Sequence, residues 1–444
     1  MTFTADASNR LGGPGWLTRL RAGAWERFSA ASLPTGEEDL WKYSDIADLD
    51  LDRFSPARVR GGDQAALTKA REVASRLGGH AALVVTVDGT LFHAEGSGER
   101  IDGSDGGDLI VGVAGDDPEL EPLLANRDAF DDLHSAFVQD VVGVEVLPKS
   151  VVELPVVVVN FVAPGAGGDS PASFPHLRVK VGSSAEAKVV EIFTSLEGKG
   201  SPGMVVPVTE LDVADNARLS YSTLQLLPTG WRQLGVQSAR VGRDGNLVSF
   251  CGSLGGSVGR LRADAELAGQ GGEATLVGGY MGSGDQLHDL RTIQDHIAPK
   301  TRSQLLCMGA VMDTSRSAYV GLTRVRKGAH GADAFQTNRN LVLSEGAHAD
   351  SVPNLDIEEN DVRCSHASTV GPIDEEQLHY LESRGIHPAV AERLIVLGFF
   401  KVLAKRAPVE SAGQWFTERV AHQLDAAEEG RLAAATSGSE KEGG

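Results

Sequence analysis

Residues 177–193, LRVKVGSSAEAKVVEIF, place two apolar, β-branched segments on either side of a short polar turn, GSSA at 182–185. The same arrangement returns in residues 236–250, VQSARVGRDGNLVSF, around the turn GRDG at 242–245. Runs of β-branched residues that are separated by turn-forming residues are typical of neighbouring β-strands. This part of the chain therefore predicts a β structure that is built from a repeated strand–turn–strand unit.

The turns recur at a nearly constant interval. Taking Ala185, Asn216, Gly245 and Gly272 as markers, successive turns are 31, 29 and 27 residues apart. A repeated unit of this length predicts a β-solenoid, in which each coil buries one face on the next. Strands and turns also recur in an ordinary β-sandwich, so the spacing alone leaves both architectures open.

Helical patterns are confined to the two ends of the chain. Apolar residues at helical spacing predict helices in 16–30, 64–77 and 128–139. Near the C-terminus, Asp374 is a good N-cap and Pro388 is suited to the first position of a second helix. We therefore expect a disordered segment at 1–14, an N-terminal helical or mixed domain at 15–139, a β core at 140–372, a C-terminal helical domain at 373–432 and a disordered tail at 433–444.

Composition excludes several classes of function. The formal net charge is −20, which would repel a phosphate backbone and disfavours nucleic acid as a partner. The sequence has no apolar run long enough to span a membrane and no signal-peptide pattern. The three cysteines, Cys251, Cys307 and Cys364, are far apart in sequence and odd in number, which argues against a disulfide framework. We expect a cytoplasmic protein.

Two glycine-rich segments and one polar segment have compositions that could serve a binding site. Residues 252–260 (GSLGGSVGR) and 278–284 (GGYMGSG) lack the Lys-Ser/Thr ending of a phosphate-binding loop, so we predict turns there and no nucleotide site. Residues 285–296 (DQLHDLRTIQDH) carry carboxylates and imidazoles that could bind a metal ion. Their spacing fits no standard motif, and a solvated polar loop explains the composition equally well.

Cys364 and His366 lie two residues apart in a predicted strand, 361–370. Alternation along a strand places both side chains on one face, where a thiolate and an imidazole could hold a soft metal such as iron or zinc. A buried cysteine beside a hydrogen-bonded histidine is the commoner arrangement, so the pair alone does not establish a site. No catalytic triad can be inferred from the twelve histidines.

A longer stretch of sequence carries a resemblance to a known family. Residues 333–386 resemble a signature of the SufB/SufD family of iron–sulfur cluster assembly proteins, and the segment EDLWKY at 38–43 is similar to the N-terminal pattern of SufD members. The likeness as a whole spans residues 30–405. The segments that carry the signature are 333–344 (DAFQTNRNLVLS), 353–357 (PNLDI), 361–371 (DVRCSHASTVG), 374–378 (DEEQL) and 383–386 (SRGI).

Two details separate the sister branches of this family. SufB members carry a cysteine in the segment that matches 337–341, where this chain has Asn338 and no cysteine. SufB members also have a Glu-His pair where this chain has Ser365-His366. The Cys-Ser-His form resembles SufD, and the SufB type is kept as the alternative.

The resemblance implies a right-handed parallel β-helix with helical domains at both ends. It implies a scaffold subunit rather than an enzyme, acting with SufB and the ATPase SufC. By the same resemblance, His366 is a candidate iron ligand and Cys364 a nearby candidate at a transient iron–sulfur cluster site that is shared with SufB. A reduced flavin is a possible family cofactor, but no motif here supports it.

The C-terminal helices would dock SufC, by the same resemblance. This agrees with the surplus of apolar residues in 390–403 and with the lack of a phosphate loop in this chain. The candidate contacts are Val390, Leu394, Leu397, Phe399 and Phe400.

Two rival functions come from other classes of protein. One is a β-helical enzyme that acts on an acidic polysaccharide, which the net charge of −20 disfavours. The other is a metal-storage or metal-binding module that uses residues 285–296.

Overall fold

The computed structural model describes residues 2–38, 41–44, 46, 48–57, 64–96, 108–115, 128–165, 169–196, 201 and 203–439. The fold is mainly β, with 43% strand against 24% helix. The helices are α1 (Ala5–Asn9), α2 (Gly15–Ala30), α3 (Gln64–Arg76), α4 (Ala129–Phe137), α5 (Glu375–Ser383), α6 (Pro388–Ala404) and α7 (Glu410–Ser439), with a short 3-10 turn at Leu51–Arg53.

The strands belong to two sheets and are numbered in chain order. They are β1 (Ser55–Pro56), β2 (Ala82–Val87), β3 (Thr90–Gly96), β4 (Leu109–Val113), β5 (Val141–Val146), β6 (Val156–Val162), β7 (Pro171–Ser173), β8 (His176–Val181), β9 (Glu186–Ser195), β10 (Met204–Val205), β11 (Val208–Val213), β12 (Arg218–Gln225), β13 (Arg232–Val241), β14 (Asn246–Ser253), β15 (Val258–Leu267), β16 (Glu273–Gly282), β17 (Leu287–His296), β18 (Arg302–Val311), β19 (Arg316–Val325), β20 (Ala332–Val342), β21 (His348–Ile357) and β22 (Val362–Gly371).

Successive strands enter the two sheets in turn. Sheet A runs β21-β19-β17-β15-β13-β11-β8-β5-β4, and sheet B runs β22-β20-β18-β16-β14-β12-β9-β6-β2-β3. From β13 to β20, each strand pairs in parallel with the strands two places before and after it. Such alternation is the pattern of a solenoid and not of a sandwich. The predicted β-solenoid is confirmed, with about seven coils and helices at both ends.

The predicted turns stack into a column along one edge of the solenoid. Ser184, Asn216 and Asp244 adopt left-handed backbone conformations, with φ of 60°, 59° and 52°. Each of these residues donates its backbone N–H to a carbonyl of the next turn: Ser184 to Asp215, Asn216 to Arg243, and Asp244 to Gln270, at 2.8–3.0 Å. The turns therefore pair with one another as the strands do, which explains their regular spacing.

The N-terminal part of the chain packs on the outside of sheet A and also supplies strands. The hairpin of β2 and β3 turns at Asp88-Gly89 and extends sheet B, with β3 antiparallel to β2. Helices α1, α2 and α4, together with residues 41–44, 46 and 48–57, cover the outer face of sheet A, and we call these elements the N-terminal cover. The expectation that 1–14 is disordered is wrong in the described residues, because α1 forms there and Phe3 is buried against Phe137.

The aromatic segment at 38–43 has a structural role in this cover. Trp41 is fully buried, the Arg260 guanidinium lies 3.7 Å from the centroid of its ring, and its indole N–H donates to Asp128 at 3.0 Å. Positions 39 and 40 lie outside the described residues. The segment thus anchors the N-terminal cover on the outer face of sheet A.

Helices α6 and α7 pack on the outer face of sheet B. Phe416 of α7 lies against Phe250 and Phe400, with ring centroids 5.6 and 5.5 Å apart. Below them, Gly252 and Gly279 are neighbours on β14 and β16. A Cβ on Gly279 would come within 2.4 Å of a Leu403 methyl group, so these glycines let the helices approach the sheet.

Two predictions from the sequence are corrected in this part of the chain. Residues 252–253 and 278–282 lie in strands rather than in the turns predicted for the glycine-rich segments, and a turn follows only at 254–257 and 283–286. The tail predicted to be disordered from 433 continues as helix to Ser439, because α7 extends without interruption, and residues 440–444 lie outside the described ranges. Among the helices that the structure describes, none is both long and apolar enough to cross a membrane.

Candidate functional site at the open end of the solenoid

The last coil, formed by β21 and β22, leaves the solenoid open. Within the described residues, β21 pairs only with β19 and β22 only with β20, so each has one free edge. The interior positions of this coil are also uncovered. Leu355, Ile357 and Val370 are 36%, 42% and 43% exposed, whereas one coil deeper their partners are almost fully buried. An apolar interior and two unpaired edges together mark a surface that is suited to a partner.

Cys364 and His366 belong to this uncovered interior. On β20, Ala334 and Gln336 are buried and Phe335 between them is 45% exposed, so the even-numbered residues face inward. In the parallel ladder Ala334 pairs with Cys364 and Gln336 with His366. Paired residues of adjacent strands point to the same side, so Cys364 and His366 both face the interior, as predicted for one face.

The two side chains differ in exposure. Cys364 is partly buried and packs beside Val325 and Ala332, whereas His366 is exposed. Partial burial raises the pKa of the Cys364 thiol, and the negative charge of Asp333 raises it further, to a smaller extent. Near neutral pH Cys364 is therefore a thiol unless a metal or another electrophile displaces its proton.

The wall behind His366 is polar and rigidly hydrogen-bonded. The Gln336 amide donates to Thr323 and to the carbonyl of Asn354. Asn338 is 1% exposed, and its side-chain oxygen accepts from Asn340 at 2.8 Å. Asn338, which lies in the segment compared with SufB, is therefore an interior residue one coil behind the open end.

Residues 285–296 do not form the predicted metal site or the solvated loop. Positions 287–296 are the buried strand β17, whose side chains alternate between the interior and the outer face. His288 meets Ser253 inside, whereas Asp289 and Asp295 face outward to Arg291 and Arg326. Within the described part of the chain, no group of three or more His, Cys, Asp or Glu side chains fits a metal ion. Alternation in the strand separates residues that the sequence places together.

The candidate docking residues on α6 divide between two faces. Val390 and Leu394 are 45% and 46% exposed, and Val402 joins them at 52%. The proposal of Phe400 as a docking residue is wrong, because it is fully buried against sheet B. Leu397 and Phe399 are partly buried against the same core.

The open end and the first part of α6 lie in the part of the chain that matches a known family. Residues 162–399 match the model described as "SUF system FeS cluster assembly, SufBD core domain". The chain belongs to the SufB/SufD family. The matched region runs from the end of β6 to the middle of α6, so it contains both Cys364 and His366.

Individual relatives place the chain in the SufD branch. It is 26% identical over 393 residues to the iron–sulfur cluster assembly protein SufD of Escherichia coli, covering 88% of this chain and 89% of that protein. It is 31% identical over 204 residues to SufD of Bacillus subtilis, covering 46% and 47%. A SufBD family protein of Mycobacterium tuberculosis is 36% identical over 269 residues, which cover 59% of this chain and 66% of that protein.

The apolar part of this site was not predicted from the sequence. Leu355, Ile357 and Val370 read as ordinary strand residues, because nothing in their local pattern shows that the next coil is absent. The available signal was the end of the β pattern before Asp374, which makes 348–371 the last coil and its interior a surface.

Proposed function

We propose that this SufD-type chain is a non-catalytic scaffold subunit that shares a cluster-assembly site with a SufB-type partner in the cytoplasm. The observation that carries the proposal is the pair Cys364 and His366 on the uncovered interior of the last coil. A thiol and an imidazole are ligand types suited to iron. Two ligands are too few to hold a cluster, so the partner would supply the rest. The iron and sulfide are the cargo of this site.

The shape of the open end supports a partner of the same architecture. A second solenoid can cover the exposed interior and continue the ladders at the free edges of β21 and β22. Covering Leu355, Ile357 and Val370 would contribute about 1 kcal/mol for each side chain, given their partial exposure. His366 would then be enclosed between the two subunits.

The role of His366 is tested with His366→Ala in a complex reconstituted with SufB and SufC. We expect cluster assembly to fall at least tenfold while the complex stays intact. Ser365→Ala is the matched control, because Ser365 is exposed on the same strand but pairs with outward-facing Phe335. Normal assembly by His366→Ala would remove His366 from the site, and failure of the unmodified chain to form the complex would contradict the scaffold role itself.

We also propose that the exposed face of α6 docks the ATPase SufC. Val390, Leu394 and Val402 recur at intervals of four or eight residues, with Gly398 between them, and so lie along one face of the helix. Beside this face, between α6 and the end of β22, is a cleft of about 510 Å³. Partner closure driven by ATP would then pull on α6 and, through it, on sheet B.

The docking face is tested with the double variant Leu394→Glu and Val402→Glu, followed by co-purification with SufC. We expect binding to be lost while the fold is retained, because both side chains are about half exposed. Val151→Glu is the matched control, since Val151 is 60% exposed in the segment before β6. Retained co-purification of the double variant would exclude this face as the docking surface.

A further inference from the structure

Charged side chains form a row across the outer face of sheet B, with one residue on each strand. The strand register defines this row, which we call the B row: Glu186, Arg218, Asn246, Glu273, Arg302, Asp333 and Arg363. Negative and positive side chains alternate along it, apart from Asn246, whose amide donates to Glu273 at 3.2 Å. The row ends on Arg363 of β22, which is the free edge of the sheet.

A second row crosses the outer face of sheet A in the same way. This A row consists of Glu145, Lys180, Asp212, Arg240, Glu266, Asp295, Arg324 and Asp356. Its charges alternate except at Glu266 and Asp295, where Arg326 supplies the missing positive charge and lies 2.6 Å from Asp295. The A row ends on Asp356 of β21, at the other free edge of the open end.

Neighbouring members of the rows compensate one another near the open end. Arg324 Nε lies 3.1 Å from Asp356 Oδ2, and Arg302 Nη2 lies 3.8 Å from Asp333 Oδ2. Unlike charges that face each other on adjacent strands stabilise the pairing, and like charges destabilise it. A slip of one residue would also move every charge to the inner face of the sheet. Each row therefore favours a single register for its strands.

The last member of each row has a neighbouring strand on one side only. Asp356 faces Arg324 on its inner side, and Arg363 faces Asp333. On the outer side neither has a neighbour within the described residues, and both are exposed. A cleft of about 450 Å³ borders Arg302, Asp333 and Arg363, so a partner can reach the end of the B row.

A second copy of this chain does not supply the missing charges when like strands meet. In β22, Arg363 is the only lysine, arginine, aspartate or glutamate, so a second β22 has no carboxylate to place opposite it. In β21 there are two aspartates but no lysine or arginine to place opposite Asp356. Only a crosswise contact, β21 of one copy with β22 of the other, would match the charges. The rows therefore favour a partner whose edge strands have a different sequence.

We propose that both charge rows continue into the partner, whose edge strands carry an acidic residue opposite Arg363 and a basic residue opposite Asp356. This inference rests on the proposed function, because it takes the partner to be a second β-solenoid that extends both sheets. The two charge pairs fix the register of the joined strands. Register decides which partner residue faces His366, which lies on the same strand as Arg363. Arg363 and Asp356 thus determine partner specificity and alignment.

The charge rows are tested by measuring the affinity of the full chain for the SufB-type partner. Arg363→Glu and Asp356→Lys should each weaken binding at least about tenfold, because each places like charges opposite one another. Arg218→Glu is the matched control, since Arg218 is an exposed member of the B row on β12, far from the free edge. It should bind like the unmodified chain.

The outcomes separate this inference from the proposed function. If the unmodified chain binds the partner and both reversals bind equally well, the charge rows play no part and only this inference is overturned. If the unmodified chain does not bind, the proposed function fails and this inference fails with it. Weaker binding by the two reversals but not by Arg218→Glu is the expected result.

The residue opposite Arg363 is located with Arg363→Lys and a carbodiimide, which joins an amine to a carboxylate in direct contact. Mass spectrometry of the complex should find a cross-link from position 363 to a carboxylate on an edge strand of the partner. Replacing that carboxylate by lysine should restore the affinity of Arg363→Glu to within about threefold of the unmodified pair. The absence of such a cross-link, or of the rescue, would overturn the inference.

Crosswise pairing with a second copy is tested by analytical ultracentrifugation of the chain alone. A dimer that Arg363→Glu dissociates would assign the charges to a second copy and would overturn the assignment to a different partner. A monomer, or a dimer that persists in Arg363→Glu, agrees with the proposal.

Discussion

Replacing Gly279 by alanine tests whether the close approach of α6 and α7 to sheet B depends on a missing side chain. The added Cβ would lie 2.4 Å from a Leu403 methyl carbon and 2.8 Å from Cζ of Phe416. Carbon atoms pack at about 3.5–4.0 Å, so the Leu403 contact is more than about 1 Å too short. Both neighbours are fully buried, and overpacking of this kind costs about 1–3 kcal/mol.

The gain from replacing a glycine inside a strand, about 0.5–1 kcal/mol, offsets part of this cost. A net loss of about 1–2 kcal/mol corresponds to roughly 5- to 30-fold more frequent local opening. Hydrogen exchange monitored by mass spectrometry over α6 and α7 measures this opening, and exchange there should accelerate while the strands far from Gly279 are unchanged.

The matched control is Gly398→Ala on the exposed face of α6, where an added Cβ meets no atom within 4 Å. This change should slow exchange in α6, because alanine favours a helix over glycine by about 1 kcal/mol. If Gly279→Ala exchanged like the unmodified protein while Gly398→Ala responded as expected, glycine would not be what permits the helices to pack.

Three further predictions concern the thiols, one buried acid and one turn. Alkylation of the native protein should modify Cys364 alone, because Cys251 and Cys307 are buried and burial raises the pKa of the Cys251 thiol to about 12. Mass spectrometry should find one label before unfolding and three labels after it. Rapid labelling of either buried thiol in the native protein would contradict this prediction. Burial raises the pKa of Asp131 to about 7, so its contribution to folding is complete below about pH 4 and is lost as pH rises through 7. Asp131→Asn should therefore flatten the fall in unfolding temperature between about pH 5 and 8. An unchanged slope would refute this prediction. Ser184→Gly should stabilise the protein by about 1 kcal/mol, because Ser184 has a left-handed φ of 60° that strains the backbone of any residue with a Cβ. A lower unfolding temperature for the variant would count against this strain.

Much of the fold could be predicted from the sequence because a solenoid repeats its local chemistry. The turns that suggested the architecture are real, and their stacking through Ser184, Asn216 and Asp244 gives the physical reason for a period near thirty residues. The spacing could not exclude a sandwich, since the choice depends on which strands pair. Pairing is a long-range property that the order of turn and strand residues does not contain.

The predictions that failed share one cause: residues that are neighbours in sequence need not be neighbours in the fold. The apparent metal cluster around His288 and Asp289 divides between two faces of β17. The apolar residues of α6 looked like one docking surface, yet Phe400 packs on sheet B while Leu394 remains exposed. Residue type predicted that these segments matter, but only the direction of each side chain shows what it contacts.

The two ends of the solenoid differ in structure, and this difference supports the proposed site at the open end more strongly than Cys364 or His366 alone. At the N-terminal end, β3 and β4 add antiparallel strands to sheets B and A, so the first coils do not end on a bare parallel ladder. At the other end β21 and β22 have no further neighbour within the described residues, and their interior side chains stay exposed. Antiparallel strands therefore cover the first coil of this chain, whereas the last coil has no such cover within the described residues. The uncovered coil therefore supports the proposal that it is half of an interface, in which His366 would become buried only when a partner is present.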